Sequence, residues 1–518
     1  MSSDIPQQSE GTILRRLLTG SAMSMINMIV TVAIGLVMTP FLLSHIGVRQ
    51  MGMWMLVGSF TGFYGLLDFG ITSAVSRYLT LGFSRNDVKA CNSYASIGFY
   101  IFLAVGSVAA VISFVIALIN YLIYRQSVDD IGIMSWVIVI LGINFMIDFP
   151  LRVFSGIITG CLRHDLNNMR QFIFRILGTC LTIGIVLHGG KIIEISFGSF
   201  FISILSAISF YWLAKKVFPQ LSLSPKSVRR EDIKPLFNYS IFTSLTSITD
   251  VLRFRISGII IAGFLSVEVV AHYGIASTLV GYFQQTMGHC TMWLTNWFTR
   301  LDAKNDMDAI RKHAMFAYKI TVLLATFIAF GMMFWSIPFI TCWVGPQFLD
   351  AYDPLVLLTF GMMFAMWQSP TTRVLYATAN HHYYSGVNAI DATLNVTLTL
   401  ILVPWYGMTG VAIGNCTAML VSKMFILPQV IVRILKISNR EYWENLGAAL
   451  AKSMVCLVIP YFVTQKLVAP EYKWLFINGI VCAFLYFPAA FLLILTQSER
   501  NKLLEIVSKK RKGKRDGK

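Results

Sequence analysis

The chain has 518 residues, of which 56% are hydrophobic and only 13% charged, with a formal net charge of +17. A soluble domain carries roughly 25% charged residues, so the composition excludes a water-soluble enzyme and indicates a multi-spanning, all-α membrane protein. The basic excess suggests nucleic acid at first sight, but its placement along the chain argues against that partner.

A hydrocarbon core about 30 Å thick is crossed by about 20 apolar helical residues. On that rule the chain reads as about fourteen spans: 18–43, 52–79, 91–122, 131–160, 169–188, 192–214, 236–264, 267–298, 314–340, 354–377, 383–403, 409–432, 446–465 and 474–496. Residues 1–14 are polar, and the first apolar run exceeds the roughly 7–15 residues of a signal-peptide core, so no cleaved leader is expected. With both termini cytoplasmic, the outer loops hold only Arg49, Arg125, Lys191, Lys466 and Lys473. Most other basic residues fall on the cytoplasmic side, including Arg15, Arg16, Arg85, Lys89, Arg163, Arg170, the 215–234 loop and the tail. That asymmetry is the positive-inside rule. It predicts that both termini are cytoplasmic, the expected location being a cell (inner or plasma) membrane. The basic tail 508–518 is expected on anionic headgroups, at about 1 kcal/mol per basic residue.

The second span closes with YGLLDFGITSAVSRYL (64–79), which carries Asp68 and Arg77. A charge at membrane depth costs at least about 2.5–3.5 kcal/mol, so each residue needs water, a partner or a task. Gly58, Gly62 and Gly65 share a helix face that permits close approach of a neighbour, and Asp68 continues that face. Either a capping or gate role or a purely structural bond suits Asp68, while Arg77 can reach the cytoplasmic interface by snorkelling.

Span four contains NFMIDFPLRVF (144–154), in which Asp148 and Arg152 are spaced to pair on one face and Pro150 is expected to kink the helix. Span five places Arg175 on a stripe with Gln171, Gly178 and Thr182, a polar seam expected to look inward. The loop 215–234 (KKVFPQLSLSPKSVRREDIK) reads as a linker between two lobes. Span seven reads TDVLRFRISG (249–258): Asp250 and Arg253 share a face, which leaves Arg255 over. Lys319, Lys423 and Lys452 are mostly expected to snorkel. In span eleven Asn388, Asp391, Asn395 and Thr399 form one stripe. A carboxylate among amide and hydroxyl oxygens can bind Na⁺ or carry a proton; a hydrogen-bonded seam between helices is the other reading.

An internal repeat supports two lobes. LLSHIGVRQMG (42–52) parallels FLSVEVVAHYG (264–274), and a shift of 217 residues aligns 160–190 with 377–407, matching His164, Ile173, Leu181 and Gly190 to His381, Ile390, Leu398 and Gly407. Each copy has six spans, so the repeat is parallel, as in alternating-access transporters. The division is 1–214 (first lobe), 215–235 (linker), 236–436 (second lobe), 437–497 (two extra spans) and 498–518 (tail). The eight cysteines are scattered with no ligand spacing. No nucleotide-binding or hydrolase motif is present, so no cofactor, metal or catalytic residue is expected.

The stretch PFLLSHIGVRQMGMWMLVGSFTGFYGLLDFGITSAVSRYL (40–79) resembles the N-terminal signature of bacterial polysaccharide flippases, the O-antigen and capsule exporters of the multidrug/oligosaccharidyl-lipid/polysaccharide superfamily. Gly52, Asp68, Gly70 and Arg77 match its pattern. AHYGIAST (271–278) is similar to a recurrent second-lobe segment, with Tyr and Gly exchanged in order. The resemblance implies a V-shaped pair of six-helix lobes around a cationic cavity. It also implies alternating-access transfer of an undecaprenyl-diphosphate-linked oligosaccharide from the inner to the outer leaflet. A diphosphate suits arginine, which binds phosphate oxygens bidentately; Arg175 and Arg255 are the leading candidates, with Arg152 and Arg253 behind them. Asp68 and Arg77 would belong to the cytoplasmic gate, and Asp391, Asn388 and Asn395 to H⁺ or Na⁺ coupling. Expected partners are the lipid-linked glycan, membrane lipids and polysaccharide polymerase machinery. The alternatives are a multidrug exporter, which would favour acidic cavity residues, a peptidoglycan-precursor lipid flippase, and a membrane glycan polymerase. Such a polymerase would need a larger outer loop than 341–353. A structural scaffold leaves the intramembrane charges unexplained.

Overall fold

The computed structural model describes residues 10–68, 70–85, 87–123, 129–161, 163–464 and 471–501; among them there is no strand. The helices are α1 (Glu10–Tyr64), α2 (Ile71–Ser84), α3 (Val88–Ile123), α4 (Asp129–Gly160), α5 (His164–Leu187), α6 (Ile192–Val217), α7 (Arg230–Phe264), α8 (Val267–Thr291) and α9 (Trp293–Asp302). They continue as α10 (Met307–Phe334), α11 (Ser336–Trp343), α12 (Tyr352–Trp367), α13 (Ser369–Ala377), α14 (His381–Met419), α15 (Leu427–Leu435), α16 (Asn439–Thr464) and α17 (Tyr472–Leu493). Ten helical stretches among the described residues are long and apolar enough to cross a membrane. The protein is thus an all-α, multi-pass membrane protein.

Two of these stretches hold more than one crossing. A continuous 55-residue helix such as α1 would be about 80 Å long, far beyond the hydrocarbon thickness. Gly47 interrupts it with φ +81° and ψ 167°, a backbone that only glycine adopts without strain. In α14 the break is Gly407, at φ 57° and ψ −139°. There a Cβ on Gly410 would lie 2.4 Å from the Leu402 carbonyl oxygen, and one on Gly414 2.8 Å from the Thr399 nitrogen. Pairings that move outward on both sides of Gly407 define an antiparallel hairpin. Its aligned position in the first repeat is the α5–α6 turn, where Gly189 also has a positive φ of 82°.

The chain forms two compact units, Met1–Gly274 and Ile275–Lys518. The core of the first joins α2, α3 and α4 through Ile71, Val75, Leu79, Phe102, Phe145, Phe149 and Ile157. The loop 215–234 is docked onto this unit. Asn92 at the start of α3 donates to the Gln220 carbonyl (3.0 Å) and accepts from the Ser222 nitrogen (2.9 Å), while the Ser93 hydroxyl accepts from the Arg229 nitrogen (3.0 Å). Arg229 in turn pairs with Asp232 at 2.7 Å.

In the second unit α16 and α17 are fastened by buried polar bonds. Gln368 donates to the Tyr442 hydroxyl (2.8 Å) and accepts from Thr371 (2.7 Å), and the Tyr486 hydroxyl donates to the Leu323 carbonyl of α10 (2.9 Å). In hydrocarbon, where apolar contact between helices has no hydrophobic drive, such bonds help decide which helices stay together.

Candidate functional site

Small residues bring α7 and the start of α8 against the second half of α1. A Cβ on Gly52 would sit 2.0 Å from the Val267 carbonyl oxygen, one on Gly258 2.7 Å from Ser59 Oγ, and one on Gly62 2.6 Å from Arg255 Cγ. The numbering falls on one chain as it rises on the other, so the two helices run antiparallel, closest where side chains are missing. The third approach matters most for chemistry. The aliphatic stem of Arg255 lies across Gly62, and the residue as a whole is exposed. No salt bridge engages its guanidinium among the described residues. The side chains of Asp250 and Arg253 lie outside the described residues, so their expected pairing is not described.

Asp68 closes a short 3₁₀ turn, Gly65–Asp68, just ahead of α2. Its Oδ1 accepts from the Thr72 backbone nitrogen at 3.1 Å and its Oδ2 from the Thr72 hydroxyl at 2.9 Å. The carboxylate therefore satisfies one of the orphan N–H groups at the start of α2, where negative charge also meets the positive end of the helix dipole. Arg77 is exposed on the same helix, its guanidinium 6.0 Å from the Tyr78 ring. Tyr78 donates to the Pro235 carbonyl at the start of α7.

On α4, Arg152 Nε donates to Asp148 Oδ2 at 3.0 Å, and its guanidinium lies 4.5 Å from the Phe149 ring. Arg152 is therefore already neutralised, and the helix continues through Pro150. On α5, Arg175 and Gln171 are exposed beside the exposed apolar side chains of Ile173, Ile176 and Leu177. These two residues thus face away from the packed interior of their own unit, while Gly178 and Thr182 of the same stripe are half-buried. Arg170, counted from sequence among the cytoplasmic basic residues, stacks on the Phe210 ring of α6 and donates to the Ser206 carbonyl at 3.2 Å.

The second unit holds a different kind of site. Asn388, Asp391, Asn395 and Thr399 are all buried on α14, and Thr399 donates to Asn395 Oδ1 at 3.1 Å. Across the hairpin, residues Leu420–Ile426 form a π-helical turn, a wider winding frequent at functional sites. It carries Lys423, whose side chain is 2% exposed against 1% for Asp391. Lys423 Nζ donates to Asn388 Oδ1, stands 4.0 Å from Asp391 Oδ2 and lies 5.0 Å from the Tyr384 ring centroid. Snorkelling is therefore not what Lys423 does. It reaches inward to a carboxylate and an amide oxygen. The signal for this was a lysine inside the apolar run AMLVSKMFIL (418–427), facing the polar stripe once the chain reverses at Gly407.

Among the described residues no group of His, Cys, Asp and Glu is arranged to hold a metal ion. The family described as "Polysaccharide biosynthesis protein" matches residues 17–294. The membrane protein EpsK of Bacillus subtilis is 20% identical over 483 residues, covering 90% of this chain and 93% of its own. Among solved structures the fold is similar to the lipid II flippase MurJ in an inward closed conformation, with TM-score 0.65, 16% identity, and coverage of 92% of this chain and 98% of that one. It is also similar to an inward-facing multidrug resistance MATE family transporter of the MOP superfamily, with TM-score 0.66, 13% identity, and coverage of 81% and 98%.

Proposed function

The chain belongs to the polysaccharide biosynthesis protein family, and on that premise we propose that it is a membrane transporter that flips a lipid-diphosphate-linked oligosaccharide between leaflets. Undecaprenyl diphosphate is the carrier and an O-antigen, capsule or exopolysaccharide repeat unit the glycan. Transfer runs from the inner to the outer leaflet by alternating access, in an inner or plasma membrane with both termini cytoplasmic. The observation that supports this reading best is Arg255, an exposed residue of α7 whose stem is seated on Gly62. A cation on a spanning helix with no salt-bridge partner among the described residues suits an anionic ligand, and guanidinium suits phosphate because its planar fork bonds two oxygens at once. Arg175 on α5 supplies a second exposed cation, whereas Arg152 is compensated by Asp148. Asp68, which caps the start of α2, and Arg77, midway along that helix, are assigned to the cytoplasmic gate. Polysaccharide polymerase machinery is the expected downstream partner.

The likeness to a lipid II flippase supports a close second reading, in which the same cation site accepts a peptidoglycan precursor. The two cargoes share the diphosphate and differ in sugar. The test uses proteoliposomes with a labelled lipid-linked oligosaccharide and a labelled peptidoglycan precursor as separate cargoes. Arg255→Ala and Arg175→Ala should each slow transfer about tenfold or more, the loss expected when a hydrogen bond to a charged group, about 1.5–3 kcal/mol, is removed. Arg→Lys should restore only part, because an ammonium lacks the fork. Unchanged transfer in both alanine variants overturns the anion site. Preference of the parent for the precursor selects the second reading.

A further inference from the structure

We propose that Lys423 is the resident cation of the buried carboxylate site in the second unit, and that its ammonium excludes Na⁺ from Asp391. From sequence, the stripe Asn388–Asp391–Asn395–Thr399 offers the oxygen donors that a small cation would need. The folded hairpin places Lys423 Nζ among those donors, on Asn388 Oδ1 and 4.0 Å from Asp391 Oδ2. An ammonium has three donors and no acceptor, so it draws on the same oxygens as a metal cation would. The face of Tyr384, 5.0 Å away, adds a favourable surface for a positive charge.

Competition at this site is asymmetric. A Na⁺ ion entering beside Asp391 has to displace a cation that is covalently attached, and the displaced ammonium then stays in the interior without its compensating charge. Breaking a buried pair on one side is strongly destabilising because the remaining charge has no partner. Lys423 also lacks an easy exit. Its side chain is 2% exposed, and the π turn that bears it is continuous with α14 before and α15 after. The site is therefore charge-balanced without a dissolved metal ion. This conclusion is independent of which glycan is moved, since it concerns only the cation at Asp391.

The test is thermal unfolding of the purified full chain in detergent, in NaCl against choline chloride at equal ionic strength. The parent should show no Na⁺-dependent rise in midpoint. Lys423→Ala should lose several degrees in choline chloride and regain part of that loss in NaCl, because the vacated position now admits the ion. The neutral pair Asp391→Asn with Lys423→Met should be recovered folded and should not respond to Na⁺. A parent whose midpoint rises in NaCl, with the rise abolished by Asp391→Asn, overturns the proposal. So does a Lys423→Ala variant with the parent's midpoint in both salts. Where Lys423→Ala is not recovered at all, the parent and the neutral pair decide: recovery of the pair and an unresponsive parent uphold the assignment, and failure of the pair overturns it.

Discussion

At the scale of single residues, the glycines of the second span have distinct neighbours, and the difference separates function from stability. At Gly52 an added methyl would meet the Val267 backbone carbonyl at 2.0 Å, and at Gly62 it would meet the Arg255 side chain at 2.6 Å. A carbonyl in a helix start cannot move away cheaply, whereas an arginine stem can rotate. Gly52→Ala should therefore destabilise the protein by about 1–3 kcal/mol, the usual range for overpacking. Gly62→Ala should leave the thermal midpoint within a degree or two while reducing transfer, because it shifts the Arg255 guanidinium. Thermal unfolding and the proteoliposome assay on the same two preparations separate the cases. A Gly62→Ala variant that transfers at the parental rate would show that the seating of Arg255 is unimportant. Asp68 illustrates the reverse relation. Its distance past Gly65 marks it as part of the packed face, but its bonds to Thr72 require the 3₁₀ turn, which no periodicity foretold.

At the scale of elements, local spacing gave what lies on one helix, and the chain reversals gave the rest. The Asp148–Arg152 pair follows from an i,i+4 relation alone. The stripe on α14 likewise follows from helical spacing, and its burial agrees with its polar-seam character. The inward turn of Lys423 depends on register across Gly407 and on a π winding, and neither is written in the residues near Lys423. The same holds for the 215–234 segment. Its prolines and charges read as a linker, but not the contacts by which Asn92, Ser93 and Asp232 hold it against α3 and α7. Beyond α17, Glu499 accepts from Lys319 Nζ at 2.9 Å and 3.1 Å. Burial pulls the Glu499 carboxyl up, but the bonds from Thr496 and Lys319 outweigh it and leave it below its ordinary 4.5. A carboxylate lowered in the folded state adds stability above its unfolded pKa, and that stability is lost as pH falls through the folded value. Parent and Glu499→Gln midpoints should thus differ at pH 7 and converge as the solution is acidified below about 4.5. A difference that stays constant over that range would show that the ion pair contributes nothing measurable.

At the scale of the whole molecule, apolar run length sufficed for the fold class because a bilayer admits so few backbone solutions. Every backbone group in hydrocarbon needs an internal partner, so an apolar chain of this kind must form helices or a closed barrel. Orientation rests on a different quantity, the asymmetry of lysine and arginine between loops, and it can be tested without knowing the cargo. The segment 341–353 is read as outside and 215–234 as cytoplasmic. Gln347 and Lys226 are both exposed, so a cysteine at either position is reachable from its own side of the membrane. All eight native cysteines are free thiols, four of them buried, and must first be replaced to give a silent background. A membrane-impermeant maleimide added to intact cells should then label Gln347→Cys and spare Lys226→Cys, and permeabilised cells should give both. The inter-loop distance in sequence contains an odd number of crossings on the fourteen-span reading, so the two sites must differ. Labelling of both or neither in intact cells would require a crossing to be lost or gained between residues 235 and 341. A reversed pattern would keep the number of crossings and invert the protein in the membrane, which would overturn the assignment of Asp68 and Arg77 to a cytoplasmic gate.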